Sequence, residues 1–472
     1  MLTRLEVDGF KNLLGFAVDL GPFNCIAGPN GVGKSNVFDA IRFLSDLAEG
    51  TLHDAALKVR GTGASTGDLR DLFWTDGEQT VDRLRMAAEM LVEPEVVDDF
   101  GRPARASSTF LRYEIELGYE APERAGMLGR LELKAEHLGY ITEGDAAGRL
   151  RFPHSAGQFR NPIVVNKRRV RAGYVSTHRT ADGQTEILVH QDGKGGLYQR
   201  AAAHDAPRTV IATANTSATP TLLAVRREMQ RWRLLALEPS AMRSSDSFSA
   251  DAWLGADGRH LPATLHRLAA AQGAAGNGGG EQVYARVAAR LAELVGVRQL
   301  RVQVDDVRQL LTLMARETSG LWLPARSLSD GTLRFLALCV LLEDPSARGL
   351  LCMEEPENGI HPAKMESMVE LLRDLAVDPH QAPGLDNPLR QVIVATHSPA
   401  FVQLQHAADL LVAREVTIRG PFERPVRVLR CIPLEGSWRT DDRERGVGKG
   451  SLLNYLTMPP GAQLTLPGLE PA

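Results

Sequence analysis

One octapeptide constrains this chain more than anything else in it. Gly28-Pro29-Asn30-Gly31-Val32-Gly33-Lys34-Ser35 matches G-x-x-x-x-G-K-[ST], and its flanks fit the pattern. Phe23-Asn24-Cys25-Ile26-Ala27 reads as a short buried strand, and Asn36 through Leu44 has the apolar spacing of a helix. A strand, a glycine loop and a helix in that order turn backbone N–H groups inward and aim a helix dipole at the same point. The segment is therefore expected to cradle a nucleoside triphosphate. Asn30, Gly31, Gly33, Lys34, Ser35 and Asn36 are the predicted contacts. Lys34 would reach the β- and γ-phosphates, and Ser35 would ligate Mg²⁺.

A length of 472 residues allows two or three domain-sized units. A net charge of −4 leaves nucleic-acid binding to a local patch rather than to the whole surface. The longest apolar run, Phe335 to Leu342, is too short to span a bilayer, and Met1 to Val7 alternates like a strand. The expectation is a cytoplasmic protein with no membrane contact. Cys25, Cys339, Cys352 and Cys431 are scattered without metal-ligand spacing and read mostly as small core residues.

Residues 1–45 read as strand, turn, strand, loop and helix. Gly61 to Gly67 reads as a flexible loop. Leu84–Val92, Thr109–Gly118, Leu131–Leu138 and Gln184–His190 alternate as in an antiparallel sheet. Thr221 to Leu237, Pro262 to Ala271 and Val283 to Val295 have helical spacing, with a Gly-rich linker at 272–280. Strands are expected at Gln299–Val304 and Leu310–Ala315. The division that follows is 1–215 (loop and antiparallel subdomain), 216–298 (helical lobe), 299–432 (the rest of the catalytic core) and 433–472 (tail).

A second block of motifs lies at 327–401. Ser327-Leu328-Ser329-Asp330-Gly331-Thr332-Leu333-Arg334 opens an apolar helix, with Ser329 placed as an N-cap. Leu350-Leu351-Cys352-Met353-Glu354-Glu355 is four apolar residues and two acids, the Walker B form. Carboxylates ending a buried strand are costly unless a metal or a reacting water uses them. Glu354 is the expected Mg²⁺ residue, and Glu355 the base that positions or deprotonates water. Asn358-Gly359-Ile360-His361-Pro362 follows as a turn. His397 ends the apolar strand Gln391 to Thr396 and reads as a sensor of the γ-phosphate.

These four motifs, in this order, resemble the ABC-type ATPase heads of the RecF, SMC and overcoming-lysogenization-defect group. They are most similar to its stand-alone bacterial AAA ATPases of abortive-infection type. Leu5 to Asn12, Glu238 to Arg243 and Asp257 to Pro262 resemble segments of that subgroup. The resemblance implies an α/β P-loop fold with a central, mainly parallel sheet flanked by helices, an antiparallel β subdomain and a helical lobe. It implies ATP and Mg²⁺ as cofactors and slow ATP hydrolysis. It also implies an ATP-dependent homodimer in which Ser329 and Gly331 meet the γ-phosphate held by the other subunit. Asp330 stands where the usual signature has glycine. Lys11 and Asn12 would lie near the nucleotide, whereas neither Gln79 nor Gln158 is assignable as the group's Q-loop glutamine.

The implied partners are DNA, in repair, recombination, chromosome maintenance or phage defence, or a separate nuclease or toxin subunit. The stretch after His397 is shorter than the TOPRIM nuclease that OLD-type relatives carry there. A transporter ATPase is disfavoured by the long insertion between loop and signature. Lys167-Arg168-Arg169-Val170-Arg171 and Arg226, Arg227, Arg231 and Arg233 are the candidate DNA patches. Gly446 to Ser451 mimics a phosphate loop without a preceding strand. Gln463-Leu464-Thr465-Leu466-Pro467-Gly468-Leu469 resembles a bacterial sliding-clamp-binding peptide, the alternative being a tail folded back on its own head.

Overall fold

Strands buried on both sides form the centre of the computed structural model, which describes residues 1–59, 68–122, 129–167, 173–192, 196–274, 279–440, 446–448 and 450. Arg233–Leu235, Gly349–Glu354, Arg390–Thr396, Phe23–Ala27 and Leu410–Arg419 lie side by side in that order, all parallel, and Pro425–Pro433 closes the edge antiparallel. Their continuous apolar runs follow from this placement. On one face Ile26, Leu350, Cys352, Ile393 and Ala395 pack with Val37, Phe38, Ile41 and Leu44 of the helix Lys34–Leu47. On the other, Cys25, Leu351, Met353, Val392 and Val394 pack with Leu333, Phe335, Leu336 and Val340 of the helix Asp330–Glu343. A parallel sheet covered on both faces needs this doubly apolar pattern.

The expected antiparallel subdomain is an eight-stranded sheet. Its order is Leu197–Ala202, Thr185–His190, Val175–Arg179, Arg130–Tyr140, Phe110–Glu120, Arg83–Leu91, Leu2–Asp8 and Phe16–Asp19. Phe16–Asp19 is an additional strand in the N-terminal segment, a hairpin partner of Leu2–Asp8, so two strands rather than one precede the loop strand. A smaller sheet of Asp246–Ser247, Leu310–Glu317, Val297–Asp305 and Trp322–Pro324 adjoins the helices Leu261–Gly273 and Gly279–Val295.

The helix expected over Thr221–Leu237 is corrected. It runs Pro220–Gln230, and Arg233–Leu235 is instead the edge strand beside Leu351–Met353. Helix and strand are separated by Trp232, buried with its indole N–H donated to Glu228 Oε1 at 3.1 Å. Pairing with the central sheet outweighs the weak local helical pattern. Cys25, Cys339 and Cys352 are buried free thiols and Cys431 is half-buried. No helix among the described residues is long and apolar enough to cross a membrane. The segments 61–67, 168–171 and 463–469 and residues 275–278 of the linker lie outside the described residues.

Candidate nucleotide site

The glycine loop joins the C-terminal end of the strand Phe23–Ala27 to the helix Lys34–Leu47. Gly31 and Gly33 take left-handed backbone angles, φ 80° and 98°, which a Cβ would strain. Gly33 has a second reason to lack a side chain, since a Cβ there would sit 2.0 Å from Asn12 Nδ2. No side chain caps this helix, and Asn36 N donates to Gly33 O at 3.0 Å; an uncapped helix start is a ready anion site. Asn30 and Gly31 form the exposed crest and Ser35 is half-buried. Lys34 donates to Gly28 O and Pro29 O, each at 2.8 Å. Burial lowers its ammonium pKa, opposed by the nearby carboxylates of Glu355, Glu354 and Glu357. The site's acids and its lysine therefore share one electrostatic field.

Lys11 and Asn12 come from the turn after the first strand. Asn12 Nδ2 donates to Val32 O at 3.2 Å, and Asn36 Nδ2 donates to Asn12 Oδ1 at 2.8 Å. Lys11, with φ 47°, pairs with the buried Asp39 at 2.8 Å. The turn is thus tied to the loop by Asn12 and to the following helix by Lys11.

Glu354 ends the strand Gly349–Glu354, and Glu355 follows in the left-handed region at φ 47°. That conformation is unusual for a residue with a Cβ and persists when surrounding contacts over-determine it. Here Glu355 N donates to Ala395 O at 2.8 Å, Asn358 Nδ2 donates to Glu355 Oε2 at 2.7 Å, and His397 Nδ1 lies 2.5 Å from Glu355 Oε1. His397 belongs to the neighbouring strand's end, which the register Glu354↔Ala395 brings level with the acids. This histidine strand lies between the Walker B strand and the loop strand, so all three end on one side of the sheet.

Ser329 caps the signature helix by accepting from Thr332 N at 3.1 Å. A Cβ on Gly331 would lie 3.4 Å from Gly359 O, so the helix start packs on the turn after Walker B. Asp330 takes a bond from Arg243 Nη2 at 2.5 Å, giving the residue that departs from the usual signature a local partner.

Three participants had no role in the sequence reading. Glu357 is buried, accepts from Thr396 Oγ1, and leaves Oε2 without a partner; burial raises its pKa. Thr396 Oγ1 in turn accepts from Ser398 N at 2.9 Å, fixing the turn that carries His397. Arg334 donates to Asn358 O. The sequence cue for Glu357 was an acid just past the Walker B pair; Arg334 offered none beyond its place in the signature helix.

The expectation that Arg226, Arg227, Arg231 and Arg233 line one helix is corrected, because the helix ends at Gln230 and Arg233 opens a strand. Arg226 and Arg227 pair with Asp99, Arg231 pairs with Glu93 at 2.7 Å, and Arg233 donates from the strand to Leu254 O at 3.2 Å. Each has an intramolecular partner, and the four do not share a helix face. Of the other cluster only Lys167 is described.

A family model described as "AAA domain, putative AbiEii toxin, Type IV TA system" matches residues 23–96 and 145–403, well over half the chain, and takes in the glycine loop, the signature helix start, the Walker B acids and His397. The chain belongs to this AAA family. Among curated proteins it is similar to Structural maintenance of chromosomes protein 1 of Schizosaccharomyces pombe, 43% identical over 60 residues. That match covers 12% of this chain and 5% of the relative's length. Among solved structures it is similar to an Smc head bound to the C-winged helix domain of ScpA (TM-score 0.45, 12% identity, 92% of this chain and 98% of that one). A second is the Pyrococcus furiosus Smc head domain with an extended coiled coil bound to the C-terminal domain of ScpA (TM-score 0.41, 10% identity, 92% and 96%). For this AAA ATPase chain, the parallel sheet and its motif-bearing ends are the expected P-loop α/β architecture.

Proposed function

We propose that this AAA family member is an ATP-hydrolysing switch that dimerises on ATP. The observation that carries the reading is the convergence of Lys34, Glu354, Glu355 and His397 at the ends of adjacent elements, with Glu355 and His397 in direct contact. Lys34, now held by two loop carbonyls, exchanges them for phosphate oxygens of bound ATP. Glu355 orients a water against the γ-phosphorus and takes its proton as the new P–O bond forms. The bond from γ-phosphorus to the bridging oxygen breaks, leaving ADP and phosphate. His397, bonded to Glu355, holds that carboxylate toward the γ-phosphate. Ser35 and Glu354 supply a hydroxyl and a carboxylate oxygen, a donor pair that suits Mg²⁺. When bound there, the ion neutralises charge on the phosphates.

Ser329 and Gly331 begin a helix whose N-terminus would meet the phosphate held by a second copy, closing two sites at once. The biological target in this reading is DNA, in chromosome maintenance, repair or phage defence, which the short match to a chromosome-maintenance protein favours. The family's toxin–antitoxin description supports a second reading, a regulatory ATPase of a separate toxin or nuclease. The test is phosphate release by the purified protein with ATP and Mg²⁺. Wild type should turn over slowly, and Lys34→Ala should lose both nucleotide binding and release. Tight ATP binding by Lys34→Ala would contradict the assignment.

A further inference from the structure

We propose that Arg334 positions the catalytic carboxylate through Asn358, so that the signature helix and Glu355 are joined within one chain. The proposal rests on the ATPase reading for Glu355 and adds the residues that transmit to it.

Arg334 lies in the helix Asp330–Glu343, one turn after Ser329. A guanidinium carries its N–H donors in a planar fork that suits a carboxylate. This one donates Nη1 to the main-chain carbonyl of Asn358, and its buried Nε has no hydrogen-bond partner among the described residues. Asn358 turns that anchorage toward the chemistry. Its N–H donates to Glu355 O at 3.0 Å, and its side-chain Nδ2 donates to Glu355 Oε2 at 2.7 Å. Gly331 adds a second contact between the same elements, with Gly359 O and Ile360 Cδ1 3.4 and 3.5 Å from where its Cβ would be. The start of the signature helix therefore packs on the turn 358–360 at two points.

Glu355 needs such support. Its left-handed backbone is held by Ala395 O at its N–H and by Asn358 at its carbonyl, and its two carboxylate oxygens are shared between His397 and Asn358. Releasing Asn358 from Arg334 frees one of these holds. Displacement of the helix start, as when it engages a phosphate, passes through the same two bonds to the carboxylate. Arg334 and Asn358 are positioning residues in this account and touch no reacting atom.

Two measurements test it. In nucleotide-free protein, Ile360 N donates to Glu357 O and Asn358 N to Glu355 O. Arg334→Ala should speed hydrogen exchange at these two amides about tenfold while the helix interior is unchanged, and Arg334→Lys should restore part of the protection. In steady-state assays Arg334→Ala and Asn358→Ala should each lower kcat about tenfold with KM for ATP changed less than about twofold. The double variant should be no worse than the poorer single one, because both act through one link. Unchanged exchange in Arg334→Ala overturns the proposal, as does a double variant whose loss is the product of the two singles. If wild type releases no phosphate, the ATPase reading fails instead, and exchange still decides the link.

Discussion

The strands Gly349–Glu354 and Arg390–Thr396 are buried along their length and end in Glu354, Glu355 and His397, whereas Arg83–Leu91 and Phe110–Glu120 carry outward-facing charges that pair with one another. Arg112 bonds Glu6 and Glu114 at 2.6 Å and Glu89 at 3.1 Å, and Arg85 bonds Glu116 at 2.9 Å. In the antiparallel sheet, acid and base thus satisfy each other laterally. At the ends of the parallel strands, Glu355 is held by an imidazole and an amide, a setting that suits the base proposed for it. Charge that pairs with charge supports a surface. Charge held by weaker partners at a strand end can do chemistry.

The largest effect expected from this contrast is at Glu355. Glu355→Gln should lower kcat at least about 100-fold, in the range of a lost general base, while the melting temperature moves by only a few degrees. Phosphate release and thermal melting read the two quantities separately. Near-normal turnover would remove the distinction between the sheets.

Glu136 sharpens the comparison from the other side, because it is a buried acid in the antiparallel sheet with no catalytic neighbour. Burial pushes its pKa up to about 7, although Val210 N, Ile211 N and Tyr113 Oη donate to it. The folded chain then keeps a proton that the unfolded chain releases near its ordinary value. The folded state binds more protons between those two values, so this group's contribution to stability falls as pH rises through that window. The total change is on the order of 3 kcal/mol. In denaturant unfolding at pH 5 and pH 8, the stability difference between wild type and Glu136→Gln should move in the variant's favour at the higher pH. A difference independent of pH would contradict the shift.

Arg112→Ala should cost about 1–2 kcal/mol of stability, since Glu89 keeps Arg149 as a partner, and should leave kcat unchanged. The smallest effect is expected from Arg226→Gln combined with Arg227→Gln. Their loss should cost at most about 1 kcal/mol and leave duplex-DNA binding equal to wild type at every salt concentration. A lower DNA affinity with a shallower salt slope would restore these arginines to a nucleic-acid face.

The parallel core was legible because its strands are unbroken apolar runs that stop at a glycine loop, two acids or a histidine. Local sequence and final environment agree there. The edge strand Arg233–Leu235 was not legible, since three residues carry no period and their conformation comes from pairing with Leu351–Met353. The same segment misled the reading of its arginines, whose acid partners, Glu93 and Asp99, lie more than a hundred residues upstream. Within the site, motif spacing marked Lys34, Glu354, Glu355 and His397 as candidates. Asp39, Glu357 and Arg334 act through contacts that exist only once the turns are folded, and no spacing rule reaches them.

The central claim is that ATP joins two copies of this chain by placing Ser329 and Gly331 of one against the phosphate held by Lys34 of the other. Light scattering of Glu355→Gln with and without ATP and Mg²⁺ tests it most directly, because blocked hydrolysis preserves the joined state. The account predicts a molar mass that doubles with ATP and stays single when Ser329→Arg is added. A single-copy mass in both conditions, under concentrations where ATP is bound, would contradict it.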